Sequence, residues 1–176
     1  FLTKPVVRPS DEELDKLAAV LNDSKNKKIA LYCGHGCQHT VKEVEQLAET
    51  LKAPIVASFR GKIFFDRPDS PYIAGMNGLL GHSSGYDACA KADVLLMLGT
   101  DFPYAEFLPK KSTIIQIDER PDIIGRRAKV DYGFAGDIKD SITALLPKLS
   151  ARTDDGFLKD IHKEYLDLEK SLDDYT

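Results

Sequence analysis

The stretch KIALYCGHGCQHTVKEVEQLAETLKAPIVAS, residues 28–58, decides the fold. It opens on a continuous apolar run, Ile29 to Cys33, as a strand buried on both faces requires. Gly34 and Gly36 then break the run. Thr40 and Glu43 form a capping-box pattern, and Val41, Val44, Leu47, Ala48 and Leu51 follow at helical spacing. A second apolar run, APIVAS, closes the segment. Strand, turn, helix and strand in that order form the repeating unit of a parallel sheet.

The same alternation extends in both directions. Upstream, Ser10 and Glu13 make another capping box, and Leu14, Leu17, Ala18 and Leu21 predict a helix over 11–22. Downstream, residues 60–85 are punctuated by glycine and proline and hold no regular period. A short helix carrying Tyr86, Ala88, Cys89 and Ala92 leads into the apolar DVLLML. STIIQID and VDYGFAGD read as further strands, RPDIIGRR as a helical turn, and Ile138 to Leu149 as a helix. Phe157, Ile161, Tyr165, Leu168 and Leu172 form one stripe of a last helix, which either packs on the domain or runs outward. The expected class is α/β: a doubly wound, mostly parallel sheet with helices on both faces, a Rossmann-like nucleotide-binding domain whose ligands gather at the carboxyl ends of the strands. No internal repeat and no low-complexity tract interrupts it.

With 176 residues, 43% of them hydrophobic and 30% charged, the chain supports one good core. A net charge of −4 with mixed signs gives no basic face for nucleic acid. The longest apolar stretch, VLLMLG, is too short to cross a bilayer, and FLTKPVVRPS lacks a signal peptide's apolar block. The reading is therefore cytoplasmic, without membrane contact from this segment. The expected division is a linker over 1–10, opening on Phe1 and carrying Pro5 and Pro9, a central domain over 11–150, and a C-terminal helical segment over 151–176 that leads on into a longer polypeptide.

Cys33, His35, Cys37 and His39 alternate as metal ligands sometimes do. In a strand the outer two would stand roughly 20 Å apart at about 3.3 Å per residue, whereas zinc ligand atoms converge within about 4 Å. The spacing is also neither a zinc knuckle nor a redox Cys-x-x-Cys. Free thiols are the expected state of Cys33, Cys37 and Cys89.

The glycines carry more. Gly34 and Gly36 stand between an apolar strand and a capped helix, where amides and the helix dipole favour an anion. The dinucleotide fingerprint is nevertheless incomplete, because His39 occupies the place of its last glycine and the next strand ends near Ser58, Phe59 and Arg60 without an acid. A plain tight turn is the competing reading. RGK at 60–62, GMNGLLGHSSG at 75–85 and GTDFP at 99–103 each punctuate a strand end. Asp118, closing IIQID, suits a ribose diol or caps a helix. Asp137, in AGD at 135–137, is a further ligand candidate or an N-cap. Arg60 either pairs with a pyrophosphate oxygen or is a solvated strand-end arginine. Five such turns on one edge fit an extended ligand such as a dinucleotide.

Taken in order, PVVRPSDEELDKLA, CGHGC, LKAPIVASFRGK, SPY, GMNGLLGHSSG, LLMLGTDFPY, IIQID, IGRRAKVD, GDIKDSITALLP and FLKDIHKEYLD resemble the middle domain of thiamine diphosphate-dependent enzymes. The resemblance spans nearly the whole chain and is most specific for the pyruvate oxidase and pyruvate:quinone dehydrogenase branch. It implies a six-stranded parallel sheet that holds FAD, in a parent that decarboxylates pyruvate on thiamine diphosphate and Mg2+ and passes electrons through the flavin to a quinone or oxygen. It also implies flanking thiamine-binding domains, a homotetramer, and a parent peripheral at the inner face of a membrane. Matched position by position, Asn77, Gly78, Leu79 and Leu80 run along the flavin end. Gly99, Thr100, Asp101, Phe102 and Pro103 follow the phosphates and ribityl chain, and Asp118 meets the adenosine ribose; Gly34, Gly36 and Arg60 are further candidates.

His35 and His82 take flavin-edge or surface roles on this reading, since no paired base or nucleophile accompanies them. The family's thiamine-binding Gly-Asp-Gly signature and its activating glutamate are absent from the 176 residues, so the segment alone is expected to be inactive. The competing reading is a nucleotide-free structural middle domain of a thiamine-dependent decarboxylase. An NAD-consuming deacylase would need paired Cys-x-x-Cys motifs that the sequence lacks.

Overall fold

The computed structural model describes residues 3, 5–23, 27–67 and 69–173. Phe1 and residues 174–176 of the terminal segment lie outside them. Along the chain run α1 (Asp11–Asn22), β1 (Ile29–Cys33), α2 (Val41–Leu51), β2 (Ile55–Ala57), α3 (Lys62–Phe65), β3 (Ile73–Met76), α4 (Ser83–Lys91), β4 (Val94–Leu98), β5 (Thr113–Asp118), β6 (Tyr132–Ala135), α5 (Ile138–Leu145) and α6 (Gly156–Asp173). All strand pairs are parallel, in the spatial order β3-β2-β1-β4-β5-β6. Strand β1 is central, with Leu31 opposite Ile55 on one side and Leu96 on the other. The winding direction reverses between β1 and β4, and a crevice at the carboxyl ends of such a pair is where this architecture takes ligands.

The continuous apolar runs become strands buried on both faces, as expected: every residue of β1 and β4 is buried. On one face Leu31, Leu96 and Ile115 meet Leu17, Leu47, Leu51 and Ile142. On the other, Tyr32, Leu95 and Met97 meet Ala88, Cys89 and Ile161. All three cysteines are buried free thiols. Cys33 and Cys37 point inward while His35 and His39 are exposed, so the four do not converge. Burial pushes the Cys89 thiol up to about 12 and raises Cys33 as well, the state of inert core sulfur.

Several local expectations are corrected. The sixth strand, β3, lies inside the stretch without a period. It has four residues and a bulge against β2, where Ile55 pairs with Ile73 but Ala57 with Met76, and Gly75 takes the extra place at φ +82°. The second capping box does not form. Thr40 is buried at φ −134°, ψ 19°, its hydroxyl donates back to the Cys37 carbonyl at 3.0 Å, and Glu43 faces Lys139 instead. Helix α5 stops at Leu145, because Pro147 has no N–H for another α-turn and the chain tightens into a 3-10 turn. Helix α6 packs on α4 and β3 through Leu158, Ile161 and Tyr165, and leaves Leu172 at the solvent.

The first capping box forms completely. Ser10 Oγ accepts from the Glu13 amide at 3.3 Å, and a Glu13 carboxylate oxygen accepts from the Ser10 amide at 2.7 Å. Ser10→Ala is expected to cost about 1 kcal/mol, read as a lower urea midpoint at unchanged slope.

Candidate functional site

A cleft of about 770 Å3 opens at the carboxyl edge, and the turns after β1, β2, β3, β4 and β5 all contribute to it. The β1 turn supplies His35 and Gly36, and the β2 turn Ser58, Phe59 and Arg60. Met76 to Leu80 follow from β3, Gly99 to Tyr104 from β4, and Asp118, Glu119, Arg120 and Ile123 from β5. The sequence candidates Gly36, Arg60, Asn77, Gly78, Leu79, Leu80, Gly99, Thr100, Asp101, Phe102, Pro103 and Asp118 therefore meet around one space.

Gly34 and Asp137 do not line it. Asp137 caps α5, accepting from the Asp140 amide at 3.1 Å, and the turn after β6 contributes nothing to the wall. Gly34 is sealed beneath the switch point. A side chain there would meet the Gly99 carbonyl at 2.4 Å, and one at Gly36 would meet the Gly99 Cα at 2.7 Å. The Gly34 amide donates to the Leu98 carbonyl (2.9 Å) and the Gly36 amide to the Gly99 carbonyl (3.0 Å). These glycines close a backbone seam between β1 and β4, and neither amide is left for a phosphate. The expected anion cradle is here a packing device.

The wall is chemically divided. Toward β3, Phe59, Leu79 and Leu80 stand 67–74% exposed at the rim, a dense set of large apolar side chains facing water. Gly78, at φ +122°, holds its loop against the Phe102 ring, where a Cβ would come within 3.2 Å. Asn77 is buried and spent on the protein: its amide donates to the Phe107 carbonyl at 3.2 Å and its oxygen accepts from the Gly78 amide at 2.9 Å. Arg60 is exposed beside this wall and makes no ion pair or hydrogen bond among the described residues. His35 sits at the mouth, its ring 5.8 Å from Phe64.

Toward β5 the wall is acidic. Asp118 is 4% exposed, accepts the Arg120 amide at 2.9 Å, and has no cation paired with it among the described residues, Arg120 itself being bound to Asp122. Burial raises its carboxyl above the usual carboxylate range, against the lowering effect of the Arg120 amide. Asp101 behaves oppositely. Burial alone would push it up, but hydrogen bonds from Arg127, 2.9 Å away, and from Arg126 hold it below that range. Asp101 thus clamps the β4 turn to the β5–β6 connection and is not offered to a ligand.

Sequence reasoning omitted Ser58, Phe59, Met76, Tyr104, Glu119, Arg120 and Ile123 from the wall. Several follow directly on a strand end, so position alone could have included them. His82 lies behind the wall, turned toward α6.

Strand order, parallel pairing and a cleft at the reversal define a doubly wound α/β domain of Rossmann-like fold. Residues 14–145 match the family described as thiamine pyrophosphate enzyme, central domain, and the chain belongs to that family. It is 49% identical over 173 residues to an uncharacterized 42.6 kDa protein of Pseudomonas amyloderamosa, covering 98% of this chain and 43% of that one. It is 34% identical to the pyruvate oxidase of Lactiplantibacillus plantarum (86% and 25% covered) and to a sulfoacetaldehyde acetyltransferase of Roseovarius nubinhibens (81% and 25%). Among solved structures, a thiamin diphosphate-dependent enzyme from Mycobacterium smegmatis superposes with a TM-score of 0.69 at 23% identity, covering 88% of this chain and 30% of that one. The chain thus spans from a quarter to 43% of the curated relatives described.

Proposed function

We propose that this domain binds FAD in the cleft, within a thiamine diphosphate- and Mg2+-dependent parent of the pyruvate oxidase or pyruvate:quinone dehydrogenase type. The observation that carries the reading is the polarity of one continuous cleft. An apolar rim at Phe59, Leu79 and Leu80 suits a flat ring system, the unpaired Arg60 suits a pyrophosphate, and the buried, unpaired Asp118 suits the vicinal diol of a ribose. The volume falls within the range of about 300–1,000 Å3 usual for cofactor sites. The residues present therefore fit the group.

Bound FAD would supply an acceptor for the electron pair left after a 2-oxo acid loses CO2. The chain's own part is to bind and orient. Phe59, Leu79 and Leu80 would cover the ring face and exclude water, while Asp118 would fix the far end and with it the register of the ring. The flanking thiamine-binding domains, a homotetramer, a quinone or oxygen acceptor, and a cytoplasmic parent peripheral at the inner membrane face belong to the same proposal.

A second reading rests on the relative named sulfoacetaldehyde acetyltransferase, whose name implies no redox step; on it the domain is structural and the cleft takes no flavin. Flavin content of the purified parent, measured by absorbance and by release on heating, separates the two. Stoichiometric FAD is expected, and its absence would sink the first reading. In the domain, Arg60→Ala is expected to weaken FAD binding roughly tenfold or more and to flatten its salt dependence, as loss of a charged hydrogen bond requires.

A further inference from the structure

The loop that carries Leu79 and Leu80 leaves β3 at Met76 and returns at His82, which stands just before α4. Residues 76 and 82 are joined twice. The His82 amide donates to the Met76 carbonyl at 2.7 Å, and the Met76 amide donates to His82 Nδ1 at 3.0 Å. The second bond requires Nδ1 to be an acceptor, so the ring proton sits on Nε2. Nε2 faces Glu169 Oε1 of α6 at 3.5 Å, and the His82 ring meets Tyr165 of the same helix edge-on at 5.8 Å. The ring has a made seat, for any side chain at Gly75 would come within 2.7 Å of Nδ1. A second histidine ties α6 to β3: His162 Nδ1 donates to the Ile73 carbonyl at 2.8 Å. Among the described residues strand β3 has only β2 beside it, so these imidazoles occupy backbone groups that no further strand takes.

We propose that His82 is a positioning residue for the cleft: its imidazole staples the base of the loop 77–81 in the form that walls the cleft, and Glu169 selects the tautomer that makes the staple. Helix α6 is thereby coupled to ligand binding although none of its residues lines the cleft. A carboxylate facing Nε2 favours the proton on that nitrogen by its charge and leaves Nδ1 as the acceptor, the relation by which outlying carboxylates orient imidazoles elsewhere. With the staple lost, the Met76 amide must find another partner and the loop loses one of its two ties. The ligand readout below rests on the flavin reading; the other two readouts do not.

The test uses the 176-residue chain. Imidazole nitrogen NMR on the unsubstituted protein is expected to show His82 protonated at Nε2. Amide exchange is expected to be at least tenfold faster at Met76, Gly78 and Gly81, whose amides are hydrogen-bonded in the loop, in His82→Ala, with protection restored in His82→Asn, whose side-chain oxygen takes the place of Nδ1. Glu169→Ala is expected to shift the tautomer and to speed exchange at the same amides, and FAD affinity is expected to fall about tenfold in His82→Ala and to recover in His82→Asn. An Nδ1-protonated ring, unchanged exchange in His82→Ala, or no rescue by asparagine overturns the proposal. A chain that binds no FAD sinks the flavin reading while tautomer and exchange still decide on His82. Should His82→Ala fail to fold, the tautomer and His82→Asn decide.

Discussion

Gly99→Ala is expected to destabilise the domain by roughly 2–5 kcal/mol, a large part of the about 5–15 kcal/mol that holds a domain of this size. Gly99 sits at φ +54°, where a side chain costs about 1–2 kcal/mol through its contact with the following carbonyl. Its methyl would also lie 2.6 Å from the Gly36 Cα and 2.9 Å from the Gly36 carbonyl carbon. Both are backbone atoms, pinned by the bond from the Gly36 amide to the Gly99 carbonyl, so nothing flexible can give way. Overpacking of this kind adds about 1–3 kcal/mol. Gly125 is the internal control: it has φ +77° but open space around it, so Gly125→Ala carries the conformational cost alone. Urea unfolding of the two variants measures the difference. Equal losses would show that the seam between the β1 and β4 turns is looser than described.

Asp118→Asn is expected to move stability and affinity in opposite directions. Asparagine keeps the shape and still accepts the Arg120 amide, but removes a buried charge that has no salt-bridge partner among the described residues. Because burial raises its carboxyl, Asp118 binds a proton more tightly in the folded protein than in the unfolded chain. Stability contributed by this group is thus full below the ordinary carboxylate value, declines as pH rises through the raised one, and stays lost above it. At neutral pH the asparagine variant should accordingly unfold later than the parent, the two converging in acid. Nucleotide affinity should fall about ten- to a hundredfold, the worth of one or two hydrogen bonds to a charged acceptor. Stability follows from thermal unfolding across pH, and affinity from titration with FAD. An asparagine variant that binds FAD as well as the parent would remove Asp118 from the ligand-binding groups.

Most of the architecture was legible because it rests on local chemistry. Apolar runs such as Ile29–Cys33 and Val94–Leu98 have no alternative to a doubly covered strand, and the Ser10–Glu13 box fixes the start of α1 to the residue. Strand β3 escaped because four residues with a glycine inside make no period, and its identity as a strand comes from β2 alongside it. The turns that wall the cleft were readable from where the strands end. What each turn does there was not. Gly34 and Gly36 carry the composition of an anion cradle, yet the neighbour that demands glycine is the β4 turn, and a sequence does not show which distant backbone will press on it. Likewise, nothing around Asp101 announces that Arg126 and Arg127 consume its carboxylate, while Asp118, which looks much the same in sequence, has no salt-bridge partner among the described residues.

The seam has a consequence for how the chain comes to be folded. Cys37 donates to the carbonyl of Leu98, 61 residues further on, so the middle of the sheet is stitched from pieces that leave the ribosome far apart in time. Until the later piece emerges, the earlier β-α-β half offers a long apolar flank to water with nothing to cover it, and pairing across such a separation is slow. Nascent chains stalled between the two halves should therefore be the form that chaperones seize and that clumps when they are scarce.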